Sequence, residues 1–227
     1  MPSTEAKPIS IAVADGVSVS GLLQTPQHAR ACYVLAHGAG AGMKHPFMAA
    51  VADGLGERGI ASLRYQFVYM ERGSKRPDPP KLAHAAVRAA VAAAQNAVPK
   101  LSLIAGGKSF GGRMTSQAQA ETPVPGVRGL AFLGFPLHPA GRPSAERAEH
   151  LFDVKVPMLF LQGTRDTLAA LDQLEPLCKA LGKRATLKLF ADADHSFHVP
   201  ARSGRGDAQV LADVLDAFAA WVAEIAA

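Results

Sequence analysis

Ile9, Ile11 and Val13 are apolar at every second position, and after Asp15-Gly16 the alternation resumes at Val17 and Val19. Such alternation lays one face of a strand against a core. An Asp-Gly pair between two such runs favours a tight turn, so this stretch reads as a β-hairpin. The pattern then changes. Short, continuously apolar runs follow at CYVLAHG (32–38), IASLRYQF (60–67), LSLIAGG (101–107), LAFLGFP (130–136), PMLFLQG (157–163) and ATLKLF (185–190). Runs of this length suit strands buried on both faces, as in a parallel sheet.

Between the runs the apolar period becomes helical. Pro46 to Arg58 carries Phe47, Val51 and Leu55, and Pro80 to Val98 is alanine-rich with Leu82, Ala86 and Ala90 in register. The last segment sets Leu211, Val214, Leu215, Phe218, Val222 and Ile225 on one face, with Asp213, Asp216 and Glu224 largely off it. Strand and helix alternating from about residue 30 onward predict an α/β sheet with right-handed crossovers, built as one domain over residues 1–227. YMERGSKRPDPP (69–80) and HPAGRPSAERAEH (138–150) fit neither period. Each follows a strand and so falls at the carboxyl edge of the sheet, where open α/β folds bind ligands.

Composition narrows the class of partner. The chain has 227 residues, 48% hydrophobic and 19% charged, which suits one sizeable core and no disordered chain. The net charge of +5 is spread over Lys44, Arg64, Arg72, Lys75, Arg76, Arg202 and Arg205 without a long basic run, which argues against nucleic acid. Cys32 and Cys178 lie far apart and match no metal or redox spacing, so both read as buried reduced thiols, and no metal or cofactor is expected. MPSTEAKPIS lacks the basic-then-apolar order of a signal peptide, and the most apolar stretch, VLADVLDAFAAWVAEIAA, carries three acids. These features predict a cytoplasmic protein without a membrane partner; they leave the oligomeric state open.

GGKSFGG (106–112) holds two motifs at once. Lys-Ser after a glycine is the end of a phosphate-binding loop, which needs a second glycine five positions before Gly107 so that backbone amides wrap the phosphates. That position is Ser102, inside an apolar run, and the nucleotide reading falls. Gly107-Lys108-Ser109-Phe110-Gly111 instead fits a nucleophile elbow: a strand, a tight turn and a helix (RMTSQAQAE), with small residues two before and two after the serine. Such a serine takes its acid and then its base from turns after later strands. PMLFLQG runs into Thr164-Arg165-Asp166, and ATLKLF into ADADHSFH, which places Asp166 and then His195 at the same edge as Ser109. Asp166 also stands where a helix N-cap before LAALDQL would be; His198 is a rival base, or a wall of the pocket, and Asp192 and Asp194 are rival acids.

An acyl-transfer intermediate carries a negative oxygen, which backbone N–H groups must meet. Phe110, next after the serine, is one expected donor. The loop HGAGAG after the first buried run supplies the other, Ala39, with Gly40 as the alternative, and His37 reads as a residue whose ring shapes that loop.

Through LAHGAGAGM, RYQFVYMERGSKRPDPP, GGKSFGGRM, QGTRD and DHSFH the chain resembles the α/β-hydrolases, in particular small cap-less bacterial serine hydrolases related to dienelactone hydrolase. The resemblance implies an eight-stranded, mostly parallel sheet flanked by helices, and maps Ser109, Asp166 and His195 onto a catalytic triad. Dienelactone hydrolases use a cysteine nucleophile where this chain has Ser109, so their substrate does not carry over. The expected activity is hydrolysis of small carboxylic esters or thioesters through an acyl-enzyme; the alternative is a hydrolase fold kept as a binding or scaffold module. The loop at 69–80 is expected to face the substrate, with Arg72, Lys75 or Arg76 binding a carboxylate and Tyr69 and Met70 supplying apolar walls.

Overall fold

The structure, a computed structural model, describes residues 5–14, 16–142 and 144–225. The hairpin forms as the alternation predicts, from strands β1 (Lys7–Ala14) and β2 (Val17–Gln24) paired antiparallel; Asp15 of its turn lies outside the described residues. The apolar runs become β3 (Ala31–Ala36), β4 (Ile60–Tyr65), β5 (Ser102–Lys108), β6 (Val127–Leu133), β7 (Met158–Gly163) and β8 (Ala185–Phe190). They join one eight-stranded sheet in the order β1-β2-β4-β3-β5-β6-β7-β8. All pairings beyond β2·β4 are parallel, so the ends of β3 to β8 open onto one edge.

Burial on both faces explains the unbroken apolar runs of β3 to β7, whereas β8 departs from that expectation: it ends the sheet and leaves Lys188 and Leu189 exposed. Every residue of β3 is buried: Cys32, Val34 and Ala36 face one core cluster, and Tyr33 and Leu35 the other. The first cluster lies under α3 (Pro80–Ala97), α4 (Phe110–Glu121) and α5 (Leu171–Leu181). The second lies under α1 (Pro46–Glu57) and α6 (Asp207–Ile225). Tyr33 packs on Phe218 with ring centroids 4.7 Å apart and donates its hydroxyl to the Ala131 carbonyl at 2.8 Å, so its one polar atom is satisfied inside the core. Both cysteines are free and buried, and burial pushes each thiol up to about 12, which suits inert core residues.

The two unassigned stretches acquire little regular structure. The first holds the short helix α2 (Val68–Glu71) and then bends to Pro79, which precedes α3. The second ends in turns of 3-10 helix over Glu146–Asp153 that bury Ala148 and Leu151. Among the described residues, no connection between strands folds into a separate cap layer, and no helix is long and apolar enough to cross a membrane.

Candidate active site

Gly106 and Gly107 sit in the ladder of β5, paired with Leu35 and Ala36 on one side and Ala131 and Phe132 on the other. A loop wide enough to wrap phosphates has no room there. The chain then turns within one residue: Ser109 has φ 50° and ψ −114°, and α4 begins at Phe110. Backbone in that region costs about 1–3 kcal/mol for a non-glycine residue, and neighbours must hold it. The Ser109 amide donates to the Leu133 carbonyl at 3.3 Å, and its own carbonyl accepts from Arg113 at 3.1 Å. The small residues flanking the serine are a packing necessity. A Cβ on Gly107 would stand 2.2 Å from the Ala36 oxygen, and one on Gly111 2.6 Å from the carbonyl oxygens of both Ala36 and His37.

Three side chains from three loops meet at this turn. The Ser109 hydroxyl lies 2.8 Å from Nε2 of His195, and Nδ1 of His195 lies 2.6 Å from Oδ2 of Asp166. An ionised carboxylate only accepts, so Nδ1 carries the ring proton and Nε2 is left to accept from the serine. The Asp166 side chain is fully buried and its charge is distributed: Oδ1 accepts the Leu168 amide at 2.8 Å, and Oδ2 also accepts from the Gln162 amide. Gln162 is fixed in turn, because its Oε1 accepts the Phe135 amide at 2.8 Å. The capping role open to Asp166 is thus spent locally on Leu168, and α5 starts later, at Leu171.

The rival groups point elsewhere. His198 is exposed and pairs with Asp207 at 2.8 Å; the carboxylate raises its pKa chiefly through that hydrogen bond. Asp194 uses Oδ1 to accept the Ser196 and His198 amides, shaping the loop that carries His195. Asp192 takes a left-handed turn with φ 59° and donates its amide to Thr164.

Above Ser109 the loop after β3 supplies backbone. The Gly40 amide is taken by the Tyr69 hydroxyl at 2.9 Å, whereas the amides of Ala39 and Phe110 meet no acceptor among the described residues. His37 is wholly buried and spans this loop: Nδ1 donates to the Gly38 carbonyl at 2.7 Å, and Nε2 accepts the Phe67 amide at 3.1 Å. Burial lowers its pKa to about 4, so the ring is neutral at pH 7 and its tautomer is set by these two bonds.

A cavity of about 410 Å³ opens beside Ser109 and His195. Phe47, Met48 and Leu168 give it apolar walls, and His45, Lys108 and Ser196 its other polar groups. The expected substrate contacts at 69–76 fall outside its lining. Tyr69 is buried beneath the glycine loop, and Met70 reaches toward Gly42; Arg72, Lys75 and Arg76 are exposed, and His198 turns to Asp207. Sequence reasoning passed over Gln162, although a lone amide ending an apolar strand beside an acid is a visible signal. It passed over the walls because Phe47 and Met48 obey the helical period of α1 whichever way they face.

Comparison with known proteins agrees with this architecture. The sequence profile of the alpha/beta hydrolase domain family matches residues 29–223. The fold is similar to that of dienelactone hydrolase from Anabaena variabilis, with a TM-score of 0.78 and 22% identity over 98% of this chain and 99% of that one. It is similar to an α/β serine hydrolase without a lid from Xanthomonas campestris (TM-score 0.74, 20% identity, 97% and 95% covered). The esterase domain of a Rhodothermus marinus protein matches at 0.74 with 18% identity over 98% and 100% of the two chains. With its eight-stranded sheet, its strained turn at Ser109 and a family match over most of its length, this chain belongs to the α/β-hydrolase domain family.

Proposed function

We propose that the protein is a serine hydrolase of small carboxylic esters or thioesters. The observation that carries this reading is the hydrogen-bonded series Ser109–His195–Asp166, set on a strained turn at the mouth of a cavity. Ser109 attacks the substrate carbonyl as Nε2 of His195 takes its proton. Asp166, held by Gln162 and the Leu168 amide, stabilises the imidazolium that forms. The amides of Ala39 and Phe110 stabilise the oxyanion; their lack of other acceptors among the described residues leaves them free to do so. His195 then returns the proton to the leaving group, and water repeats the sequence on the acyl-enzyme. A cavity of about 410 Å³ with Phe47, Met48 and Leu168 in its walls suits short to medium acyl groups. The fold's similarity to a dienelactone hydrolase and to an esterase domain supports ester chemistry.

The test uses p-nitrophenyl acetate and butyrate. Wild type is expected to turn over both, and Ser109→Ala to lower kcat/KM by about three or more powers of ten, as removal of a triad nucleophile does. Equal, slow turnover by both proteins would leave the fold as a binding or scaffold module.

A further inference from the structure

The elbow requires glycines and a serine, yet the residue before the serine is a lysine whose side chain turns inward. The Lys108 ammonium donates to the backbone carbonyl of His195, 87 residues away in the chain. It lies 5.9 Å from the ring centroid of Phe47 and 5.6 Å from that of Phe197, two rings whose planes are nearly parallel. A carbon placed on Gly134 would meet Lys108 Nζ at 2.8 Å and His195 Nδ1 at 3.3 Å, so the two nitrogens lie within about 6 Å of each other.

Resting on the serine-hydrolase reading, we infer that Lys108 is a positioning residue for the base. Its ammonium fastens the backbone of His195 to the residue adjoining the nucleophile, and it does so as a cation. Two contacts then fix His195: Asp166 orients the ring, and Lys108 holds the main chain from which the ring hangs. The groups that face the ammonium are Asp166 after β7, Asp194 and His195 after β8, and His45 across the cavity; the backbone of Gly134, just after β6, lies beside Nζ, and that of Gly38, after β3, lies beside the lysine's Cγ. Burial lowers Lys108 to about 8, against the opposing pull of Asp166 and Asp194. A buried ammonium is costly, and methionine would fill the same space without that penalty. A cation kept there has a use that packing does not supply. Above pH 8 the amine becomes a weaker donor and the carbonyl loses its charge-assisted hydrogen bond.

The experiment compares wild type, Lys108→Met and Lys108→Arg in ester kinetics across pH 6–10, in thermal melting, and in amide hydrogen exchange of the 191–199 segment. Lys108→Met is expected to lose about 10- to 100-fold in kcat with KM little changed, because a small misplacement of the base affects the reacting geometry more than binding. It should melt no lower than wild type, while exchange in 191–199 becomes faster. Wild-type kcat should decline near pH 8, and Lys108→Arg should carry its activity to higher pH. An active wild type alongside a Lys108→Met variant with unchanged kcat, pH profile and loop exchange would overturn the inference. A wild type that neither turns over esters nor labels with a fluorophosphonate refutes the hydrolase reading instead, and removes the base that Lys108 is said to position.

Discussion

Acidification should loosen the fold through His37, by an amount the structure sets. The ring is wholly buried with Nε2 accepting the Phe67 amide; a proton added there would face an N–H donor in an apolar surrounding. Burial lowers its pKa from 6.5 to about 4. The unfolded chain therefore binds this proton more readily than the folded one, and stability falls as pH drops through that window. The contribution is intact above pH 6.5 and fully lost below about 4. At roughly 1.4 kcal/mol per pH unit the loss amounts to about 3 kcal/mol, a large part of a typical folding free energy. His150 adds a loss of the same sign: burial first, then the charges of Arg113 and His84, lower it to about 4. Urea unfolding of wild type and His37→Gln at pH 7.5 and 4.5 separates the two. His37→Gln is less stable at pH 7.5 but should lose about 2–3 kcal/mol less on acidification than wild type. Equal losses in the two proteins would refute the assignment of the acid sensitivity to this ring.

Two substitutions probe how the loops hold the site. Gly134→Ala places a methyl group 2.8 Å from the Lys108 ammonium and 3.3 Å from His195 Nδ1, at a residue with φ +73°. It should lower kcat on p-nitrophenyl esters by about 10- to 100-fold, with about 1–2 kcal/mol of backbone strain; an unchanged kcat would contradict the crowding described at the base. Tyr69→Phe removes the acceptor of the Gly40 amide and should cost about 1 kcal/mol of stability and about 10-fold in kcat. If its kcat matches wild type, the glycine loop does not depend on that hydroxyl.

Local pattern revealed much of the fold, and the order of Ser109, Asp166 and His195 pointed to the three side chains that meet at the candidate site. The runs at 60–67 and 101–107 became β4 and β5 with ends shifted by two residues or fewer, because burial on two faces leaves no polar period to misread; the run at 185–190 became β8 at the sheet edge, where Lys188 and Leu189 are exposed. The start of α5 was less visible. Leu168 and Ala170 lie before it, and their amides are taken by Asp166 and by His138 from a distant loop. Such a partnership leaves no mark in adjacent letters. The same holds for Lys108 with His195 and Tyr69 with Gly40, which only the folded chain brings together. The basic residues of 72–76 show the converse: their charge is plain in the sequence, but the loop carries it to the surface and away from the cavity lining.

The central claim is that His195 activates Ser109 as a nucleophile, and the mass of the labelled protein tests it most directly. Intact wild type treated with a fluorophosphonate is expected to gain one adduct, mapped by peptide sequencing to Ser109. Ser109→Ala should gain none, and His195→Ala should react far more slowly. No adduct on wild type under conditions that label a known serine hydrolase, or an adduct at another residue that persists in Ser109→Ala, would contradict the account.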